Sequence, residues 1–437
     1  MKMTILGGGG FRVPLVYGAL LRENEEFDNP CTDVVLYDED LDRVRKIEAV
    51  LRGQAAASAD APRVTSTDSL DEALAGTDFI FSAIRVGGLD GRSSDERSCL
   101  DHGVLGQETT GAAGLLYGLR TLPEVLRIAH RVAEICPDAW FINFTNPAGM
   151  VTEAMSAILG ERVIGICDSP IGLCKRVARV LDVDPELVTF DYFGLNHLGW
   201  LGGVITGGHD LLPGLLQRPE LLDRFEEGKL FGADWLRTLG AIPNEYLHYY
   251  YNTRDAIEAL GHAGSSRGEF LANQQQRFYQ ASETGPEAAY QLWQSVRRER
   301  ESTYMAESRE ATGGWERDQE DLKGNGYEGV ALTLMRAIAQ NEPAELILNV
   351  PNNGSIEGLP DDAIVEVICD VDARGPRPKS TSAPNLHQLG LMLTVKSVER
   401  DVIAAVREDD SGLAWRALGT HPLVDSTRVA RALLSGH

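Results

Sequence analysis

The sequence predicts an α/β fold, with a parallel sheet wound between helices at its N-terminal end and an intimately packed domain of mixed α and β after it. Three observations predict this. Thr4–Leu21 reads as a short apolar strand, four glycines and then a resumption of helical periodicity. The alternation β-α-β-α-β-α-β is complete by residue 85. From Ile171 onward the regular succession stops and strands alternate as antiparallel partners do.

In the opening unit, Thr4, Ile5 and Leu6 form a buried run, Gly7, Gly8, Gly9 and Gly10 form the turn, and Leu15, Leu20 and Leu21 face inward from the helix. Such a turn lets backbone N–H groups approach a pyrophosphate, and the helix N-terminus adds partial positive charge. The second strand, Asp33–Tyr37, ends in Asp38-Glu39-Asp40. An acidic residue there accepts a hydrogen bond from an adenosine ribose, which makes Asp38 the candidate. Asp38 follows Gly7 by 31 positions; the usual spacing is about 20, and the insert Glu23–Pro30 accounts for the excess. Leu41–Gln54 and Leu70–Ala75 read as helices, and Val64–Thr67 and Thr77–Ile84 as strands. The whole is a Rossmann-like unit that resembles the first lobe of lactate and malate dehydrogenases, and a dinucleotide is the expected ligand.

Arg85–Gly114, rich in glycine and poor in apolar periodicity, reads as a long loop at a strand C-terminus, where open α/β sheets bind ligands. Helices follow at Leu116–Ile135 and Met150–Leu159, and strands at Ala139–Asn143 and Arg162–Cys167. A division at residues 1–170 and 171–437 is expected. In the second part we read a helix to about Leu181, strands at Leu187–Leu195 and Trp200–Ile205, and a helix over Pro213–Leu239. Four tyrosines crowd Pro243–Tyr251. Polar helices at Ser266–Glu283 and Pro286–Met305 precede a more apolar one at Gly326–Ile338, paired strands at Glu345–Val350 and Ala363–Val371, and a helix at Ala383–Arg407 with a short helical tail.

Length and charge narrow the function. At 437 residues the chain exceeds one comfortable core. A formal net charge of −24 argues against nucleic acid or an anionic membrane surface as partner, while leaving room for a phosphorylated ligand held by local arginines. Six scattered cysteines make no disulfide framework. With an N-terminus that enters a strand directly and no run of about 18 apolar residues, the expectation is a cytoplasmic protein with reduced thiols.

Several side chains have the chemistry of a reaction centre. Cys167, ending a strand, and His197, in Gly194-Leu195-Asn196-His197, can converge on a divalent metal with open positions for substrate; each alone is equally a packed core residue. Tyr246, Tyr249 and Tyr250 read either as core aromatics or, beside a metal and a nicotinamide, as a source of a phenolate base. Arg85, Arg92 and Arg267 read as forked phosphate ligands or as ion pairs.

The motifs GGGGFRVP, LYDED, RVGGLDGR, GQETTG, NFTNPAG, ICDSP, GLNHL, PNEYLHYY, SRGE, NNGSIEGLP and HPLV, in that order over essentially the whole chain, resemble those of the family 4 glycoside hydrolases. The resemblance is nearest to the 6-phospho-β-glucosidase branch. It implies tightly held NAD and a divalent metal, usually manganese, and hydrolysis by oxidation at C3, deprotonation at C2, elimination, water addition and re-reduction, outside the two-carboxylate scheme. Residue by residue, it implies Cys167 and His197 as metal ligands, Tyr246 as the C2 base with Tyr250 as the alternative, and Asn146 as a sugar contact. Arg85, Arg92 and Arg267 match positions near the sugar and its 6-phosphate, and Gly7, Gly9 and Asp38 match the cofactor site. A phosphorylated disaccharide such as cellobiose 6-phosphate is the implied substrate, and a homodimer or homotetramer the implied assembly.

Two departures stand out. Gly10 replaces the serine that usually ends the glycine turn. Asp168 follows the cysteine where the β branch has asparagine and the 6-phospho-α-glucosidases have an aspartate proposed to assist the leaving group. GQETTG and NNGSIEGLP favour the β side. The competing readings are a 6-phospho-α-glucosidase, a dehydrogenase of a small hydroxy acid, and a non-enzymatic NAD-binding sensor.

Overall fold

The computed structural model describes residues 1–24, 30–56, 58, 60–281, 285–318 and 326–437. Its frame is one 13-stranded sheet. The first six strands are β1 (Lys2–Leu6), β2 (Asp33–Tyr37), β3 (Arg63–Thr67), β4 (Phe79–Ser82), β5 (Trp140–Asn143) and β6 (Val163–Gly165). They lie in the order β3-β2-β1-β4-β5-β6, every pair parallel. Apolar side chains cover both faces of β1, where Met3, Ile5 and Leu6 are fully buried, as a sheet between helical layers requires.

The sheet does not stop at residue 170. Beyond it come β7 (Thr189–Leu195), β8 (Leu198–Thr206), β9 (His209–Asp210), β10 (Ile242–Pro243), β11 (Ala344–Pro351), β12 (Ile364–Asp372) and β13 (Gly375–Pro378). Strand β11 pairs antiparallel with β6 through Asn349 and Gly165, and β12, β7, β8 and β10 extend the sheet outward from it. The two parts therefore share one sheet and one core, in which Ile5 and Phe81 belong to the same apolar cluster as Trp200, Trp293 and Tyr327. The expected pairing of the two late strands is present as β11 against β12.

Some sequence expectations need correction. The supposed loop Arg85–Gly114 contains a helix, Gly88–Asp101, whose buried residues are Arg92, Asp95, Glu96 and Cys99. A helix that buries ion pairs has no apolar stripe to read. The single helix expected over Pro213–Leu239 is four short ones, Leu212–Leu216, Pro219–Leu222, Glu226–Phe231 and Ala233–Leu239. Pro219 starts the second, and Gly232, at φ +78°, separates the last two. Leu20 is buried, whereas Leu15 and Leu21 are half-buried. The insert Glu23–Pro30 and the end of the helix expected to reach Glu283 lie largely or partly outside the described residues. All six cysteines are unpaired and buried. Among the described residues no helix is long and apolar enough to cross a membrane.

Candidate active site

A cavity of about 1010 Å³ opens at the C-terminal ends of β1, β4, β5 and β6, where strand order reverses between β1 and β4. Every site residue expected from the sequence lines it except Gly8, Gly9 and the alternative base Tyr250.

The glycine turn is built from the strand end upward. The N–H groups of Gly7 and Gly8 both donate to the Tyr37 carbonyl, at 3.0 and 2.8 Å. Gly7 has φ +83°, and a Cβ there would stand 2.9 Å from the Ala83 carbonyl oxygen. Gly8 is displaced from the cavity because it packs on β2, where a Cβ would come within 2.6 Å of Leu36 Cβ. Gly9 faces the helix Leu41–Ala55, where a Cβ would come within 2.9 Å of Arg43 Cβ, and its N–H donates to Asp38 Oδ2 at 2.9 Å. Asp38 thus braces the turn with one oxygen and accepts from the Asp40 N–H with the other, at 3.1 Å. Each carboxylate oxygen keeps acceptor capacity for a ribose hydroxyl. The cradle of bare backbone, the acidic residue at the end of β2 and the helix Val13–Glu23 beyond the turn fit a dinucleotide.

At the end of β6, Ile166 leads to Cys167 and Asp168 before the helix Ser169–Leu181 begins. Burial pushes the Cys167 thiol well up, and the charges of Glu366 and Asp168 add to this. His197 occupies the turn between β7 and β8 at φ +61°. Its Nδ1 lies 2.8 Å from Thr109 Oγ1, so Nε2 is the ring nitrogen without a hydrogen-bond partner among the described residues. Burial lowers its pKa to about 4, which keeps the imidazole neutral and competent as a ligand. Among the described residues no group of three or more His, Cys, Asp and Glu side chains is arranged to hold a metal. The pair alone has N/S donor chemistry suited to a divalent transition metal, with further positions open. A cation there also meets the surrounding carboxylates and favours the thiolate, so the residues fit a metal.

Tyr246 sits in the short 3-10 turn Glu245–Leu247, fixed by its N–H to Asn244 Oδ1 at 3.1 Å. Its hydroxyl receives a hydrogen bond from Tyr304 at 3.0 Å. Burial, with Tyr304 and Glu245 behind it, holds the phenol well above its usual pKa. Tyr250 does not line the cavity; it packs beside His421, with ring centroids 6.2 Å apart. Asn146 presents a buried Oδ1 with no hydrogen-bond partner among the described residues.

The arginines are neither bare nor simple surface pairs. Arg85 and Arg92 share Glu108, and Arg92 Nε also bonds Glu96 Oε1 at 2.7 Å. Against burial, which alone raises it, these two arginines hold the Glu108 carboxyl down at about 2. Arg267 donates to the Thr303 carbonyl and hydroxyl, at 3.1 and 2.8 Å, and to the Arg300 carbonyl at 2.9 Å. Sequence reasoning missed Arg12, Arg300 and Tyr304, which line the same cavity but stand in no quoted motif role. It also missed Glu366, which accepts from Asn196 and Asn349 at 3.0 Å and from Tyr192 at 3.1 Å and so pins the turn that carries His197.

The chain is similar to known proteins over nearly its whole length. Residues 2–183 match the model of the family 4 glycosyl hydrolases, and residues 192–424 match that of the family 4 glycosyl hydrolase C-terminal domain. The chain is 31% identical to a probable 6-phospho-beta-glucosidase of Bacillus subtilis, over 99% of this chain and 95% of that one. It is 30% identical to a maltose-6'-phosphate glucosidase of the same organism, over 99% and 94%. The 6-phospho-beta glucosidase of Thermotoga maritima, solved with manganese, NAD⁺ and glucose-6-phosphate, superposes with a TM-score of 0.83 at 27% identity, covering 100% of this chain and 97% of that one. The family models together span nearly the whole sequence, and the chain belongs to family 4 of the glycosyl hydrolases.

Proposed function

We propose that this protein is an NAD- and divalent-metal-dependent 6-phospho-β-glucosidase, releasing glucose 6-phosphate from phosphorylated disaccharides such as cellobiose 6-phosphate. The observation that carries the reading is the convergence in one cavity of the glycine turn with Asp38, the Cys167–His197 pair, Tyr246, and Arg85, Arg92 and Arg267. A simple hydroxy-acid dehydrogenase has no use for the thiol, and a sensor has no use for a buried base.

When bound, NAD supplies a hydride acceptor and donor for the sugar C3, and a metal such as Mn²⁺ supplies Lewis acidity beside C2. Tyr246 takes the C2 proton as the phenolate that a cation held by Cys167 and His197 would favour, and the Tyr304 hydroxyl keeps its oxygen in place. Asp168, at the head of its helix, serves the departing glycosidic oxygen. Asn146 orients the sugar through its unpartnered amide oxygen. Arg85, Arg92 and Arg267 hold the 6-phosphate by forked hydrogen bonds. Hydride leaves C3 and returns to it within one turnover, so the net reaction consumes only water.

One observation favours the α anomer as a second reading: Asp168 lines the cavity where the family's β branch has asparagine. Assays with p-nitrophenyl α- and β-glucoside 6-phosphate, each with and without NAD⁺ and Mn²⁺, decide between them. The proposal expects faster release from the β-substrate, dependent on both additions and without accumulation of NADH. We further propose a cytoplasmic homo-oligomer. The unpaired thiols and the apolar side chains of Leu386 and Leu393, exposed on the helix Leu386–Glu408, support that assignment.

A further inference from the structure

Two helices, Arg267–Gln280 and Pro286–Ser302, lie over the glycine turn and hold its carbonyls. Tyr279 donates its hydroxyl to the Gly9 oxygen at 2.6 Å, and Trp293 donates Nε1–H to the Phe11 oxygen at 2.9 Å. The same helices carry Arg267 at the start of one and Arg300 near the end of the other, joined by the bond from Arg267 Nη2 to the Arg300 carbonyl. The guanidinium carbon of Arg300 lies 6.0 Å from the Phe11 ring centroid, at the flank of the turn. Arg12, Arg267, Arg92 and Arg85 line the same cavity, and their charges bear on Arg300.

The nearby charges are unequal. Glu108 and Glu96 are already engaged by Arg85 and Arg92. Arg12 stacks on Phe144 and Tyr327, with its guanidinium carbon 5.6 and 5.3 Å from their centroids. Arg300 makes no ion pair with a carboxylate among the described residues, although its charge reaches Glu108, and it lines the cavity. A half-buried guanidinium under the repulsion of four others is stabilised by anions close by.

We propose that Arg300 is shared between the pyrophosphate of the cofactor and the 6-phosphate of the sugar, and that it sets the coupling between their binding. The proposal rests on the function proposed above. Two anions held in one cavity repel each other, and a cation placed between them removes that repulsion. Arg300 therefore adds to each affinity and, separately, keeps the first anion from weakening the second.

Isothermal titration of NAD⁺, with and without saturating glucose 6-phosphate at fixed Mn²⁺, measures the coupling as a ratio of the two Kd values. In Arg300→Met and Arg300→Gln the ratio is expected to shift toward antagonism by about tenfold relative to wild type. Arg300→Lys, which retains the charge, is expected to keep the wild-type ratio. The converse titration of glucose 6-phosphate must show the same factor, by reciprocity. An unchanged ratio in the variants that still bind both ligands overturns the inference, as does a lysine variant as antagonistic as the methionine one. Wild-type protein that binds neither ligand contradicts the proposed function instead, so the two failures are distinct. If Arg300→Met does not fold, the glutamine and lysine variants carry the comparison.

Discussion

The imidazole of His197 lies flat against the phenol ring of Tyr246, with centroids 3.7 Å apart and planes 7° from parallel. A candidate metal ligand and a candidate base are thereby fixed against each other by ring contact. Their orientation comes from opposite sides, since Thr109 holds the imidazole and Asn244 and Tyr304 hold the tyrosine. Removing only the Tyr246 hydroxyl preserves the stack. Tyr246→Phe is expected to lower kcat by about 10²–10⁴ with little change in KM or melting temperature. Tyr304→Phe, which deletes one hydrogen bond to the base, is expected to cost roughly tenfold. Steady-state kinetics on an aryl 6-phosphoglucoside reads both effects.

The metal site offers a graded test. Cys167→Ser or His197→Ala removes a proposed ligand and is expected to abolish metal-dependent turnover with the fold retained. Thr109→Val removes the partner of His197 Nδ1, with a longer bond to Gln107 Oε1, and leaves both proposed ligands in place; an Mn²⁺ affinity loss of about 10–100-fold is expected. Titration of metal-stripped protein with Mn²⁺ gives the order. A threonine variant as defective as the ligand variants would contradict it.

Glu108 neutralises the buried Arg92 and the half-buried Arg85, so its loss strands both. Glu108→Ala is expected to destabilise the protein by about 3–5 kcal/mol. Because the stranded charges then attract an anion more strongly, glucose 6-phosphate should raise the melting temperature of this variant more than that of wild type. Melting curves with and without the ligand measure both quantities.

Glu366 predicts a pH dependence. Burial raises its carboxyl from 4.5 to about 7. The folded protein therefore holds a proton that the unfolded chain releases. This contribution is fully present below about pH 4.5 and is lost as pH rises through 7, an effect on the order of 3 kcal/mol. In metal-free protein, wild type should lose stability between pH 5 and 8 relative to Glu366→Gln. Parallel melting-temperature curves for the two proteins would rule this out.

Different physical signals decide what was legible in the sequence. The dinucleotide half was readable because β1, β2 and β4 are continuous apolar runs separated by helical periodicity and a glycine turn. The helix Gly88–Asp101 was not, because its buried face is made of Arg92, Asp95 and Glu96 rather than apolar residues. Tyr246 and Tyr250 are equivalent in a helical reading of Pro243–Tyr251. The 3-10 turn at Glu245–Leu247 sends only the first into the cavity. Arg300 and Glu366 carry no local pattern at all. Their importance comes from neighbours over 200 and 160 positions away, such as Arg92 and Asn196, that only the folded sheet brings beside them.

The most direct test of the account is the fate of the sugar C2 hydrogen. With NAD⁺ and Mn²⁺ in D₂O, NMR of the glucose 6-phosphate released in a single pass should show deuterium at C2, introduced when the proton removed at Tyr246 is replaced from solvent. Product formed at full rate with only protium at C2 would contradict the mechanism and point to ordinary acid–base hydrolysis.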